Sequence, residues 1–337
     1  LVNPNGLIDQ INEGALSTGN TTDVRGPDGW SGTAVGAGVF KLRTLADPEN
    51  AALKCLEITC TTADASIAST DDYFIYTAIE GYDAAALMSG TSTAATVTVQ
   101  FKFKTTLVGV YGVSLANSAK NRSNYQIITV ADTSEHEYVL TFTLDTTGTW
   151  LYTNGVGIYL AICLSAGSNF QGTAGAWAAD AKQPTSAQAN FMALNTHTAF
   201  LKRIQLVPGS SAQTYSQADL QKELAKAQRY YLKTFAQGTA PTQTAGIAGA
   251  LHAFENSGVA GPTVLWAFKQ EMRAAPTIVT YNYAANNANW RNVSTGTDNT
   301  VAVGAALTSG VVIAASTASS ATSHYNAIHA TASARLS

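Results

Sequence analysis

The sequence has little charge. Only 12% of its 337 residues are Asp, Glu, Lys or Arg, and the net charge is -3. No lysine- or arginine-rich run occurs, so the chain lacks the basic surface that nucleic-acid binding requires, and we exclude DNA and RNA as partners. Long apolar stretches are missing too. The best one, Val156 to Leu164, has half the length of a membrane span and contains glycine, so we expect no membrane insertion.

Cysteine is scarce as well, and its three copies cannot form a closed set of disulfides. Cys55 and Cys60 lie five residues apart in a strand-like segment, which places their side chains on opposite faces of a sheet, where they cannot pair. We therefore expect buried thiols in a chain that folds under reducing conditions. The first residue is Leu and no signal sequence precedes the fold, so we expect a processed or truncated chain.

Sequence motifs of catalysis are missing. The chain has no G-x-S-x-G elbow, no H-E-x-x-H zinc motif and no phosphate-binding loop. Its adjacent carboxylates Asp71 and Asp72 are expected to point apart, and Glu135 and Glu137 lie at a strand entrance, so neither pair supplies the facing acids of a glycoside hydrolase. We predict a protein that is not an enzyme and needs no cofactor.

What the sequence does contain, up to about residue 209, is a hydrophobic period of two. From Thr96 to Lys104, valine and phenylalanine alternate with threonine, glutamine and lysine, which predicts a strand with one buried face. The alternation recurs at residues 56–60, 138–144, 158–164 and 204–206. Since no helical period separates these segments, they predict an all-β jelly-roll sandwich over residues 1–209.

The period becomes helical between Asp219 and Phe235, and residues 210–238 are predicted as a connecting segment. One apolar face of this amphipathic helix consists of Leu220, Leu224, Ala227 and Tyr231. Strand-like alternation returns after Gly238, so residues 239–337 are predicted to form a small C-terminal β-sandwich. A domain of this size gains burial from identical neighbours, which favours a homo-oligomer.

Aromatic residues of the first domain are the candidate ligand-binding groups. A flat ring can stack on the C–H face of a sugar while nearby amides and carboxylates bind its hydroxyl groups. Each ring taken singly also has a structural explanation, as part of the core. The candidates are Trp30, Tyr73, Tyr76, Tyr82 and Trp177. Three carboxylates in polar loops are candidate ligands of a structural calcium ion, namely Asp23, Asp28 and Asp64.

Several motifs carry a resemblance to a known group. Residues 3–6 read Asn-Pro-Asn-Gly, residues 200–206 read Phe-Leu-Lys-Arg-Ile-Gln-Leu, and residues 223–231 end in Gln228-Arg229-Tyr230-Tyr231. Together they resemble particle-associated proteins of tailed phages and phage-derived gene transfer agents. In that group a carbohydrate-binding-module-like jelly roll leads into a helix with a Q-R-Y-Y signature and then a small β domain. This sequence departs from the group at Val207, often acidic there, and at Ala227, often cysteine.

The resemblance implies a place on the surface of a virion or virion-like particle, as a tail fibre, head spike or decoration, after assembly in the host cytoplasm. It implies host attachment by binding cell-surface polysaccharide, contacts with other virion proteins, and a homo-oligomer, for which we expect a trimer with a pentamer as the alternative. Two other functions stay open. A purely structural decoration or connector predicts buried rings at Trp30 and Trp177, and a polysaccharide depolymerase predicts a carboxylate pair in a groove.

Overall fold

The computed structural model describes residues 1–17, 23–216, 219–255, 261–315 and 324–336. Within these ranges the chain is built of β-strands with two short α-helices, so the predicted all-β class is confirmed. It divides into two compact units, residues 1–223 with Leu336 and residues 224–335. The boundary falls inside the segment 210–238 that the sequence predicts as the connection.

The first unit is a sandwich of two antiparallel sheets. In chain order its strands are β1 (Val24–Arg25), β2 (Trp30–Val35), β3 (Val39–Asp47), β4 (Asn50–Thr62), β5 (Asp72–Glu80), β6 (Thr96–Thr105), β7 (Gly109–Ala116), β8 (Ser123–Val130), β9 (His136–Thr143), β10 (Val156–Ala166) and β11 (Thr198–Pro208). Sheet A has the order β1-β2-β5-β10-β7-β8, and sheet B has the order β3-β4-β11-β6-β9. A one-turn helix, α1 (Gly81–Ala84), follows β5.

The core of this unit lies between the two sheets and follows the alternation in the sequence. In β6, the side chains of Val97, Val99, Phe101 and Phe103 are all fully buried, as the period of two predicts. Burying one such side chain stabilises the fold by roughly 1.5–3 kcal/mol relative to leaving it exposed. Strand β10 is buried on both faces, because its outward side carries Tyr159 and Ala161, which pack in a second cluster.

Helix α2 (Leu220–Gln228) is shorter than the sequence predicts. It begins after Asp219, whose Oδ1 accepts hydrogen bonds from the backbone N–H groups of Gln221 and Lys222 at 2.9 and 3.1 Å. The prediction that it continues to Phe235 is wrong. Residues 230–235 read Tyr-Tyr-Leu-Lys-Thr-Phe, and aromatic and β-branched residues favour a strand once a partner is available. The Q-R-Y-Y signature therefore spans the end of the helix and the start of a strand.

The predicted apolar face of this helix also needs correction. Leu220 is 51% exposed, whereas Glu223, which is not among the four predicted apolar residues, is only 3% exposed. A carboxylate oxygen of Glu223 accepts a hydrogen bond from the backbone N–H of Asn3 at 2.9 Å. Because this bond satisfies a buried backbone donor, the polar side chain takes an interior position that hydrophobic periodicity assigns to leucine.

The second unit is also β, with strands β12 (Tyr231–Lys233), β13 (Leu251–Glu255), β14 (Thr263–Ala267), β15 (Thr277–Tyr281), β16 (Trp290–Asn292), β17 (Asp298–Asn299), β18 (Val301–Val303), β19 (Gly310–Ala315) and β20 (His324–Ser333). Strand β20 is central, since it pairs with β12, β13, β15 and β16. A second sheet has the order β14-β19-β18. Trp290, Ile313 and Ile328 from the two sheets share one core, so the predicted small β-sandwich is confirmed.

Two further sequence predictions concern thiols and membranes. Cys55, Cys60 and Cys163 are free and buried, as predicted. Burial raises the pKa of Cys55 to about 12 and that of Cys60 to about 11, so both are thiols rather than thiolates at neutral pH. Of the helices in the described ranges, none is long and apolar enough to cross a membrane.

Candidate functional site

Two of the five predicted ligand-binding rings lie in the core. Trp30 is 1% exposed, and its Nε1–H donates to the backbone oxygen of Asn3 at 2.9 Å. Tyr73 is fully buried, and its hydroxyl donates to Asp64 Oδ2 at 2.7 Å. A ring in either place cannot stack on a ligand, so the prediction for these two residues is wrong. Both stand at core-facing positions of their strands, and isolated aromatic residues are more often core than surface.

Tyr76 points away from that core but is also covered. It is 7% exposed and contacts the ring of Tyr159 edge-on, with centroids 5.4 Å apart. The ammonium of Lys120 lies 5.5 Å from the centre of the Tyr76 ring and 4.7 Å from that of Tyr159, in cation–π geometry. Leu336 packs on the same cluster. Tyr76 is therefore a packed residue beneath a lysine, not an open platform.

The other two predicted rings are accessible to different degrees. Trp177 is half-buried against Trp150, with ring centroids 5.5 Å apart and nearly perpendicular planes, and its Nε1–H donates to the backbone oxygen of Thr143 at 2.8 Å. Tyr82 is 61% exposed at the start of α1. Its backbone N–H donates to the oxygen of Thr153 at 3.0 Å, which places it beside a second loop of the sandwich. Of the five candidates, Tyr82 alone presents most of its ring to solvent.

The three predicted calcium ligands do not form one site. Asp23 pairs with Arg25 at 2.8 Å on the surface. Asp28 is buried and accepts from the backbone N–H of Gln10 at 2.7 Å, and Asp64 accepts from the Tyr73 hydroxyl. Among the described residues no group of three or more acidic, histidine or cysteine side chains could hold a metal ion.

A polar groove opens elsewhere in the first unit, where the N-terminal segment, β4 and β11 come together. It encloses about 190 Å³ and is lined by Asn5, Asp47, Leu53, Lys54, Lys202, Arg203 and Tyr215. We call it the Arg203 groove. A neighbouring pocket shares Asn5, Leu53, Lys54 and Tyr215 with it and adds Pro4 and Glu223. The two together form a continuous concave surface of mixed polar and apolar character.

The groove depends on an irregular point in β11. The pairing of β11 with β6 shifts register between Lys202 and Gln205, and Arg203 adopts a left-handed backbone conformation with φ of 54°. For a residue other than glycine this conformation costs about 1–3 kcal/mol and is held by surrounding contacts. Here the backbone N–H of Arg203 donates to Asn5 Oδ1 at 2.5 Å. Strain of this kind concentrates at ligand-binding sites.

A short chain of contacts fixes the rest of the groove. The side-chain amide N–H of Asn5 donates to the hydroxyl of Tyr215. The guanidinium carbon of Arg203 lies 5.8 Å from the centre of the Tyr215 ring. Burial raises the pKa of Tyr215, whereas the Asn5 hydrogen bond and the Arg203 charge lower it. The effect of burial is larger, so the pKa is above its usual value. The phenol is therefore neutral at physiological pH and keeps its proton.

The cations of the groove differ in their partners. Lys202, only 5% exposed, forms ion pairs with Asp47 and Glu135. Burial lowers the pKa of Lys202, but these hydrogen bonds outweigh burial and hold the pKa above its usual value. By contrast, no carboxylate of the described chain lies within ion-pair distance of Lys54 or Arg203. The groove therefore offers two cations that form no ion pair with a described acid.

Sequence reasoning did not select the residues of this groove, although one signal for it exists. Leu201 and Ile204 are both 1% exposed, so two core positions lie three residues apart in a strand. That spacing breaks the period of two and marks a bulge, with Lys202 and Arg203 as the residues between. Asn5 and Arg203 entered the sequence argument only within the segments that resemble the phage group, while Tyr215 and Lys54 did not enter it.

No family model matches the chain, and no curated protein matches its sequence. Solved structures do resemble it. An arabinose-bound α-L-arabinofuranosidase, MgGH51, is 14% identical with a TM-score of 0.32, over 71% of this chain and 36% of that one. The enzymatically active domain of tailspike protein 4 of bacteriophage CBA120 is 9% identical with a TM-score of 0.32, over 62% and 21%.

A third structure is matched over nearly its whole length. It is the family 11 carbohydrate-binding module of the cellulosomal cellulase Lic26A-Cel5E of Clostridium thermocellum, 11% identical with a TM-score of 0.30, over 59% of this chain and 99% of that one. This chain thus spans about a third of the arabinofuranosidase and a fifth of the tailspike domain. At TM-scores near 0.3 these likenesses carry no inference about what this chain binds or does.

Proposed function

We propose that the protein is a non-enzymatic attachment protein that binds cell-surface polysaccharide from the surface of a virion or virion-like particle. The observation that carries the binding part is the Arg203 groove. It combines a half-buried aromatic ring, Tyr215, with side chains that donate hydrogen bonds along one open channel. Saccharides are bound by such combinations, because the ring packs on C–H groups and the donors reach the hydroxyl and carboxylate oxygens.

The carboxylates beside the groove support a binding role rather than hydrolysis. A glycoside hydrolase needs one protonated and one ionised carboxyl group across the scissile bond. Asp47 and Glu135 instead share Lys202 as an ion-pair partner. Burial raises the pKa of Glu135, but hydrogen bonds from Lys102 and Lys202 outweigh it and hold the pKa below its usual value. Glu135 therefore has no proton to donate at neutral pH.

The location on a particle is supported by the resemblance of residues 200–206 and 223–231 to phage and gene-transfer-agent proteins. In this proposal the chain forms a homo-oligomer and contacts other virion proteins. Several identical grooves on one particle would raise the avidity of attachment well above the affinity of a single groove. Weak individual sites are then sufficient.

One observation favours a second function, a structural decoration or connector without a ligand. That alternative predicts a buried Trp30, and Trp30 is 1% exposed. It also predicts a buried Trp177, which is half-buried. The burial of these two rings does not distinguish attachment from a connector function. The groove does, because a connector would not need the unpaired cations Lys54 and Arg203.

The test is adsorption of the purified full chain to host cells and to isolated surface polysaccharide. We expect saturable binding that is lost on cells stripped of their polysaccharide and reduced by Tyr215→Ala. Equal binding to stripped and intact cells would favour the connector function. Release of reducing ends from the polysaccharide on prolonged incubation would identify a depolymerase instead.

A further inference from the structure

We propose that the Arg203 groove is selective for an acidic polysaccharide, whose anionic group is held between Arg203, Lys54 and the hydroxyl of Tyr215. This inference rests on the proposed function and adds the chemical class of the sugar. The anionic groups considered are a carboxylate and a sulfate, both of which present only hydrogen-bond acceptors to the protein.

The first step is the balance of donors and acceptors in the groove. Asn5 uses its Oδ1 to accept from the Arg203 backbone and its amide N–H to donate to Tyr215. Since the Tyr215 oxygen accepts that bond, its own proton points elsewhere, and no described residue accepts it. Three kinds of hydrogen-bond donor therefore line one channel: the hydroxyl of Tyr215, the guanidinium of Arg203 and the ammonium of Lys54. An anion satisfies donors without needing any acceptor in return.

The second step concerns the acids that could compete with a ligand. Asp47 lines the groove but is 3% exposed in its side chain and paired with Lys202. Glu223 lines the adjoining pocket and accepts from the backbone N–H of Asn3. Neither carboxylate forms an ion pair with Lys54 or Arg203. Both cations therefore stay available to a ligand.

The third step is preorganisation. The hydrogen bond from the Arg203 backbone N–H to Asn5 fixes the main chain at this position, and the guanidinium lies against the Tyr215 ring. A side chain that is already placed loses less entropy when a ligand binds. An arginine fork also pairs with a planar carboxylate through two parallel hydrogen bonds, which a neutral sugar cannot offer. The groove thus discriminates by charge rather than by shape alone.

The experiment measures binding of the full chain to three probes of similar length: polygalacturonate, dextran sulfate and neutral dextran. We compare wild type with Arg203→Gln and Lys54→Gln, each of which removes one cation. Lys104→Gln is the matched control, because Lys104 is a surface lysine of sheet B that pairs with Glu49 outside the groove. Thermal unfolding of all variants checks that each one folds.

We expect at least one acidic probe to bind more tightly than dextran, with affinity falling as NaCl rises from about 0.05 to about 0.5 M. Arg203→Gln and Lys54→Gln should each weaken this binding about tenfold, and Lys104→Gln should leave it unchanged. The preferred acidic probe identifies carboxylate or sulfate as the natural group. Equal binding of dextran, or acidic binding that both groove variants retain, would overturn the inference while leaving polysaccharide attachment intact. Failure of all three probes and of the host polysaccharide would overturn both.

Discussion

The guanidinium carbon of Arg203 lies 5.8 Å from the centre of the Tyr215 ring, although the two residues belong to segments separated by the end of β11. Arg203 reaches this position through a left-handed backbone conformation, and Asn5 holds both residues by hydrogen bonds. Local strain and the placement of a functional side chain are therefore linked at one residue.

This link predicts different stabilities for two small substitutions at the same site. Arg203→Gly and Arg203→Ala both remove the guanidinium, but glycine adopts a positive φ without steric cost and alanine does not. We expect the glycine variant to be more stable than the alanine variant by about 1 kcal/mol in denaturant unfolding. Both variants should lose polysaccharide binding equally. A more stable alanine variant would show that the left-handed conformation is not strained.

A second prediction concerns the buried cation beside the groove. Lys202→Met leaves Asp47 without an ion-pair partner in a buried place, whereas Glu135 keeps its pair with Lys102. Unpaired buried charges cost about 3–5 kcal/mol, so we expect a loss of unfolding free energy of that size. Lys104→Met, on the neighbouring strand, breaks a pair whose side chains are 30% and 48% exposed. The cost there should be about 0–1 kcal/mol, and similar losses in both variants would contradict the assignment.

A third prediction follows from two rings that look alike in the sequence. Trp30→Ala removes a ring from the core together with its hydrogen bond to Asn3, and should cost about 3–5 kcal/mol. Tyr82→Ala removes a ring that is 61% exposed and should change stability by less than about 0.5 kcal/mol. Urea unfolding of the two variants measures the difference. Comparable losses would mean that Tyr82 is packed in solution.

The comparison of these rings shows what sequence patterns can and cannot predict here. Alternation in β6 predicts which residues enter the core, because one sheet face is buried over its whole length. It does not say whether a tryptophan beside a turn, such as Trp30, faces inward, since that depends on register with β5. The groove is harder still to predict. Asn5 and Lys54 are far in the chain from each other and from Arg203 and Tyr215, and the four residues meet only after the sheets have paired.

A local sequence pattern carries no information about distant strand partners, and this also explains why the predicted helix is too long. Leu220, Leu224, Ala227 and Tyr231 have helical spacing, yet Tyr231 begins β12 because Tyr231–Lys233 can pair with residues 331–333 of β20. This pairing joins residues about one hundred positions apart, which a local period cannot report. Fold class was predictable because it depends on many repeats of one short pattern.

A fourth prediction concerns Asp72, on the outward side of sheet A. Burial raises the pKa of this carboxyl to about 7, against the lowering effects of Lys120 and of a hydrogen bond from Gln183. Because the folded-state pKa is raised, the contribution of Asp72 to the free energy of unfolding is complete below the unfolded value of 3.8. This contribution is lost as pH rises through about 7. The slope is at most about 1.4 kcal/mol per pH unit. Asp72→Asn should remove this loss, so its advantage over wild type should grow between about pH 5 and pH 8. Parallel pH profiles would contradict the shift.

The last prediction has the opposite sign and lies in the second unit. His329 stacks on Phe235 with ring centroids 4.0 Å apart, and its Nε2 contacts the backbone oxygen of Gly246 at 2.9 Å. Its Nδ1 lies 3.0 Å from the Thr234 hydroxyl. Burial lowers the pKa of His329, the hydrogen bond to Gly246 acts against this, and His252 adds to the lowering. The neutral ring can donate from Nε2 and accept at Nδ1, which matches both neighbours.

For a group with a lowered folded-state pKa, the stabilising contribution is complete above the unfolded value of 6.5 and is lost as pH falls through the folded value. We therefore expect β20 and its partner strands to open more readily at about pH 5 than at about pH 7.5, whereas the Asp72 contribution favours the first unit at the lower pH. Hydrogen exchange read by mass spectrometry separates peptides of the two units, after correction for the intrinsic pH dependence of exchange. His329→Gln, which cannot acquire a charge, should flatten the trend in the second unit and leave the first unchanged. A trend that survives this substitution would assign the acid sensitivity to another group.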